Sequence, residues 1–158
     1  MDGVDTSDGR GGKGRSVGIP SSEPAFAGSR PAVLIVDDDP DTRRLVSLIL
    51  GSRFTTLEAE NGEKALKALE RSYIFGQPEG GIRLVLLDVM MPGTDGITLC
   101  REIVREYGVK VVMLTARNTR LDVEAAIRNG ACDYIVKPFS KDTLVAKVSR
   151  HLYGSLPN

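Results

Sequence analysis

The sequence is poor in the residues that build metal scaffolds and stapled folds: two cysteines and one histidine in 158 residues. Cys100 and Cys132 lie far apart and fit no CxxC or Cys/His spacing, which argues against a structural zinc or a disulfide framework and predicts a reducing, cytoplasmic setting. No apolar run approaches the roughly 20 residues of a membrane span. The Asp- and Gly-rich N-terminus does not have the basic-then-apolar order of a signal peptide. An excess of one charge is also absent. With 21 basic and 21 acidic residues the formal net charge is zero, which argues against a nucleic-acid surface spread over the whole protein. What the chain does have is 41% hydrophobic residues, enough to fill the core of one compact domain with some length left over.

The texture changes at about residue 31. Residues 1–30 are rich in Gly, Ser and Pro, show no period of two or 3.6, and read as a disordered tail. Their GRGGKG run does not have the spacing of a phosphate loop, and no strand precedes it. From Ala32, short apolar runs alternate with amphipathic ones. AVLIV ends in Asp37-Asp38-Asp39 and Pro40, so Asp39 is expected to cap a helix whose first turn holds Pro40 and whose buried stripe is Leu45, Leu48 and Ile49. FTTLEA is a weaker strand, followed by a helix from Asn61-Gly62 with Ala65, Leu66 and Leu69 inward. RLVLLD is a central strand, followed by a helix with Ile97, Cys100, Ile103 and Val104 inward. KVVMLT, a helix over Leu121 to Asn129 stopped by Gly130, DYIVK, and a helix over Lys141 to about Leu152 complete the series. The stretch 72–81, SYIFGQPEGG, reads as a long loop with Tyr73 and Phe75 in local packing. Five strand–helix units, with central strands apolar on both faces, predict an α/β, doubly wound parallel sheet.

In such a sheet ligands sit beyond the carboxyl ends of the strands. Asp37 and Asp38 end the first strand, Asp88 the third, Thr115 the fourth and Lys137 the fifth, so groups distant in sequence converge on one rim. Three neighbouring carboxylates repel one another, and a hard divalent cation relieves that repulsion: magnesium, or manganese in its place. Magnesium bridges readily to phosphate oxygens, and an ionised Asp88 is itself a nucleophile able to form an aspartyl-phosphate without a general base. Thr115 would donate its hydroxyl to one phosphoryl oxygen and Lys137 would bring a point charge to another. The single histidine, His151, is placed by this reading at the end of the last helix, facing solvent.

VLIVDDDPDTRR, LVLLDVMMPGTDG, VVMLTAR and GACDYIVKPF resemble the receiver domain of bacterial two-component response regulators, and the likeness runs from about Ala32 to Leu152. The resemblance implies a flavodoxin-like (βα)5 fold with strand order 2-1-3-4-5. It implies Asp88 as phosphoacceptor, Asp37 and Asp38 as the acidic pair for magnesium, and the Met90 backbone carbonyl as a further metal ligand. It likewise implies Thr115 as switch hydroxyl, Lys137 as the lysine before a Pro138 that follows a cis bond, and Tyr134 as an aromatic that turns inward on activation. The expected partner is a histidine kinase or phosphotransfer protein, and the expected domain is 31–153, with 154–158 a tail or the start of a linker. Asp39 stays a helix cap. Met90 and Arg117 match positions flanking the route of a hydrolytic water, which predicts a long-lived phospho-state.

Two readings of the output stand. The chain is a stand-alone receiver acting on a protein partner, or the receiver of a longer protein with a covalent output domain; neither asks this segment to touch nucleic acid or membrane. The fourth-helix and fifth-strand region is similar to receivers that pair as homodimers when phosphorylated, yet Cys132 and Thr143 stand where that class has acids, leaving Asp122, Arg128 and Lys147 of the charge network. Three alternatives compete. A haloacid-dehalogenase-type phosphatase needs a second Asp two residues after the nucleophile, where Met90 stands. A flavin module would meet an acidic rim repelling its phosphate. A phosphorylation-independent interaction module would keep the fold without needing the aspartates and lysine present here.

Overall fold

The computed structural model describes residues 30–74 and 81–154. Of the expected tail over 1–30, residues 1–29 lie outside this set, as do the loop residues 75–80 with Phe75, and residues 155–158. Strands β1 (Ala32–Val36), β2 (Thr55–Ala59), β3 (Ile82–Leu87), β6 (Lys110–Thr115) and β7 (Asp133–Val136) form one sheet in the order β2-β1-β3-β6-β7. All four pairings are parallel. Counting only these strands, the order is the expected 2-1-3-4-5. A two-stranded antiparallel hairpin, β4 (Met90–Met91) and β5 (Thr94–Asp95), stands apart from the sheet and was not anticipated. It turns through Pro92 and Gly93, whose φ of 73° suits a residue without a side chain.

Helices α1 (Pro40–Leu50), α2 (Gly62–Ile74), α3 (Gly96–Tyr107), α4 (Arg120–Arg128) and α5 (Lys141–Tyr153) cover both faces. The two-residue period of the strands divides the core. Leu34, Val36, Val85, Leu87, Val111 and Met113 pack against α2, α3 and α4 through Ala65, Leu69, Leu99, Cys100, Ile103 and Ala126. Val33, Ile35, Leu84, Leu86, Val112 and Leu114 meet Val46 and Leu50 of α1 and Leu144 and Val148 of α5. Each such aliphatic side chain taken out of water stabilises the fold by about 1.5–3 kcal/mol, so the central strands anchor whatever is attached to their ends.

Local chemistry sets the helix ends. Asp39 caps α1, accepting from Asp41 N at 3.2 Å, with Pro40 in the first turn as expected. Asp95 caps α3, Thr119 and Asp122 form a reciprocal capping box on α4, and Ser140 caps α5. The Lys137–Pro138 bond is cis.

Three expectations require correction. The buried stripe of α1 is Val46 and Leu50 with Ile49 beside them, while Leu45 and Leu48 are 49% and 77% exposed. The stripe is rotated because Arg43 and Ser47 face Glu58 of the edge strand β2, at 3.1 and 3.2 Å, and fix which side of α1 meets the sheet. Helix α2 continues through Ser72, Tyr73 and Ile74 rather than yielding to a loop at 72, and the exposed Tyr73 meets Tyr107 of α3 edge-on at 6.0 Å. His151 does not face solvent. Its side chain is 15% exposed, with Nε2 at 2.8 Å from Asp133 Oδ2 and Nδ1 at 3.6 Å from Cys132 Sγ, because Asp133 gathers the charges of α5 onto the edge of β7.

Candidate functional site

The ladder between strands places the rim. Asp37 N donates to Ala59 O at 3.1 Å, Asp88 N to Val36 O at 3.0 Å, and Lys137 N to Thr115 O at 2.9 Å, so these residues extend the sheet by one hydrogen bond each. Asp37, Asp88 and Thr115 are buried, whereas Asp38 is exposed. Carboxylate oxygens of Asp37, Asp38 and Asp88 all lie within 4.8 Å of one another. Lys137 Nζ reaches into this cluster, 2.6 Å from Asp37 Oδ2 and 3.0 Å from Asp88 Oδ2.

Backbone donors orient the other oxygens. Asp37 Oδ1 accepts from Asp39 N, and Asp88 Oδ1 from Met90 N, each at 2.9 Å. Arg43 Nη1 donates to the Asp37 carbonyl at 2.7 Å and ties the rim to α1. Burial pushes the Asp37 carboxyl above its ordinary value; the Lys137 and Asp39 hydrogen bonds oppose this, and the nearby Asp88 charge adds to it. Burial pulls the Lys137 ammonium down, but hydrogen bonds to both Asp37 and Asp88 outweigh it and leave its pKa raised. The two directions are compatible, because Lys137 has two carboxylates to itself while Asp37 shares one ammonium. Asp39 points elsewhere: the Thr42 hydroxyl, donating at 2.7 Å, holds its carboxyl below the usual range.

Of the residues expected at the site, Asp37, Asp38, Asp88 and Lys137 are brought into direct reach of one another. Thr115 and Tyr134 stand one and two strands away and meet through a single residue. Thr115 Oγ1 accepts from Arg117 N at 3.3 Å, and the Tyr134 hydroxyl donates to the Arg117 carbonyl. The Tyr134 ring is 8% exposed, so it lies inward rather than in solvent. The Arg117 side chain pairs with Asp122 at 3.3 Å, and Met90 is 54% exposed at the rim.

Sequence reasoning missed two positioning residues. Arg43 gave no signal beyond its place in a helix. Gly96 had one, since it follows a capping Asp at a helix start. A Cβ built there falls 2.5 Å from Val89 Cα and 3.0 Å from the Asp88 carbonyl, so only glycine lets α3 approach the backbone that carries Asp88.

The donor set fits a hard divalent cation: three carboxylates close enough to share one ion, only one of them on the surface, with a single lysine as counter-charge. Beside such an ion stands the Asp88 carboxylate, held by one backbone N–H and one ammonium.

Comparison with known proteins points the same way. The family described as the response regulator receiver domain matches residues 33–149. The DNA-binding response regulator MtrA of Mycolicibacterium smegmatis is 40% identical over 124 residues, which is 78% of this chain and 51% of that protein. The transcriptional regulatory protein ResD of Bacillus subtilis is 41% identical over 118 residues, 73% of this chain and 45% of its own. The chain thus spans about half the length of the curated relatives it matches. Among solved structures, the BeF3-activated N-terminal receiver domain of Klebsiella pneumoniae RstA superposes with a TM-score of 0.68 at 30% identity, covering 77% of this chain and 98% of that one. The BeF3-activated receiver domain of DrrB, from Thermotoga maritima, gives 0.67 at 30% identity, covering 78% and 97%.

Proposed function

Because the chain belongs to the response regulator receiver domain family, whose members are phosphoacceptors, we propose that Asp88 takes a phosphoryl group from the phosphohistidine of a histidine kinase or phosphotransfer protein. The observation that carries the reading is the Asp88 carboxylate itself, buried, aimed by Met90 N and shared with Asp37 on one lysine. An Asp88 oxygen attacks phosphorus, the P–N bond breaks, and the electron pair leaves with the donor imidazole, which takes its proton from solvent. A carboxylate attacks as the anion, so this step calls for no general base. Lys137 stays beside the new acyl phosphate and offsets its charge. Asp37, Asp38 and Asp88, with the Met90 backbone carbonyl, would hold magnesium or manganese, which when bound neutralises charge shared by the acids and the phosphoryl oxygens.

The signal leaves the rim through Arg117. A phosphoryl oxygen that recruits the Thr115 hydroxyl draws it away from Arg117 N, and the same residue's carbonyl seats Tyr134. The Thr115–Tyr134 pair therefore couples a charge event at Asp88 to the surface of α4 and β7. That surface carries exposed Leu121, Ile127 and Val136, suited to a protein partner, to an output domain in a longer chain, or to a second copy. Asp122 and Lys147 are committed within the chain, to Arg117 at 3.3 Å and Asp133 at 3.0 Å, which favours apolar contact over a charge network across a dimer.

The test is acetyl phosphate with magnesium followed by intact-mass analysis. The parent chain gains one phosphoryl group and D88N gains none. Labelling of D88N, or parent labelling that persists in excess chelator, refutes the assignment.

A further inference from the structure

The flank of α5 that turns toward α1 carries a groove used by nothing in the signalling site. It has a volume of about 400 Å3 and is lined by Arg53, Asp142, Val145, Ala146, Ser149, Arg150 and Gly154. On α5 the lining falls at i, i+3, i+4 and i+7, one continuous helix face. Its floor holds an anomaly. Ser149 is 8% exposed, and its Oγ has no hydrogen-bond partner among the described residues. A helical serine ordinarily returns its hydroxyl to the carbonyl one turn back or presents it to solvent. Ser149 instead keeps a donor buried at the groove, where an incoming carbonyl would satisfy it.

We infer that the groove is the docking site of this chain's own N-terminal segment, around Ile19 to Ala27. Twenty-nine residues precede Arg30, and Arg30 is fastened beside the groove. Its Nη1 donates to Gly51 O at 3.1 Å, and Pro31 O accepts from Thr55 N at 3.1 Å, which brackets the turn that carries Arg53. Phe54 stacks on Tyr153 at 5.9 Å and brings that turn to the end of α5. Reach is not limiting. The 13 residues of α5 span about 20 Å, and ten extended residues cover roughly 33 Å.

The chemistry is complementary. IPSSEPAFA places Phe26 for the apolar strip of Val145 and Ala146. Its Pro20 and Pro24 favour an extended backbone whose carbonyls are free to accept from Ser149. Glu23 is the acid nearest the attachment point, and Arg53 forms no ion pair among the described residues, whereas Arg150 already pairs with Asp133 at 2.6 Å. No lining residue belongs to α4 or β7, so docking leaves the proposed output surface uncovered.

The test uses the 15N-labelled full chain at several concentrations. F26S removes the anchor and should lower the docked-to-free ratio by about tenfold or more. E23K should lower it by about two- to fivefold, with R53E equivalent and the E23R/R53E exchange restoring it. The readout is amide shifts at Val145, Ala146, Ser149 and Arg53, with those of β3 and β6 unchanged as the internal record of an intact fold. Localised, concentration-independent shifts that the exchange reverses support docking in cis. Unchanged groove amides in both F26S and E23K overturn it, and shifts that grow with protein concentration overturn it in favour of a second copy.

Discussion

Asp133 at the start of β7 offers a quantitative test of how this edge of the sheet is held to α5. Its carboxylate meets Lys147 at 3.0 Å, Arg150 at 2.6 Å and His151 at 2.8 Å, and also accepts from Tyr134 N at 2.7 Å. Burial alone would raise its pKa, but His151, the Tyr134 N–H and Lys147 together bring it down to about 2. Each tenfold change in acidity corresponds to about 1.4 kcal/mol, so a carboxyl held near 2 instead of 3.8 contributes about 2–3 kcal/mol at neutral pH. Since the folded value is the lower one, this contribution is present above the unfolded pKa and fades as pH falls toward 2, with about half remaining at pH 3. D133N, nearly the same shape without the charge, should lose that amount in urea unfolding followed by circular dichroism at pH 7, and roughly 5–10 °C in Tm. The deficit should narrow between pH 4 and pH 2. A D133N chain within about 0.5 kcal/mol of the parent at pH 7 would refute the reasoning, as would a deficit constant down to pH 3.

Other consequences can be measured separately. T115A keeps the nucleophile and the acids, so it should still be labelled by acetyl phosphate, yet amides of α4 and β7 should move less on phosphorylation than in the parent; equal movement would remove Thr115 from the switch. M90N/R117E replaces a bulky rim side chain and a long cation tied to Asp122 with small or acidic groups, and should shorten the phospho-state measured by decay of the added mass; an unchanged half-life would show that these positions do not hinder water. G96A forces a methyl against the Val89 and Asp88 backbone and should cost about 2–4 kcal/mol in unfolding free energy while slowing phosphorylation, because the acceptor loop has to shift.

The sheet was legible because its central strands are apolar on both faces, and a five-residue run such as AVLIV has little alternative to burial. The rim was legible for the same reason: a polar residue that stops such a run is placed by the run. Helix faces were harder. In α1, Leu45 and Leu48 present a plausible stripe, and Val46 and Leu50 present another half a turn away; the choice depends on Glu58 of β2, to which Arg43 and Ser47 are turned. His151 could not be placed from sequence because its partner, Asp133, is 18 residues earlier and is also paired with the cations Lys147 and Arg150. Tyr134, expected to turn inward on activation, already lies inward, its hydroxyl on the Arg117 carbonyl, a partner that nothing in DYIVK specifies. Gly96 shows the opposite limit. Its meaning lies in a backbone approach that no side-chain pattern records.

Lys137 and Asp37, 2.6 Å apart, are separated by 100 residues along the chain. Contacts of that span carry a large loop-closure cost, which the core between the distant strands has to offset. A chain that has paired β1 with β3 but not yet added β7 has the Asp37 and Asp88 carboxylates without the Lys137 ammonium that balances them. Under the function proposed above, competence to receive a phosphoryl group belongs to the finished sheet. On that reading, the fraction labelled by acetyl phosphate would track the fraction of molecules in which β7 has joined the sheet.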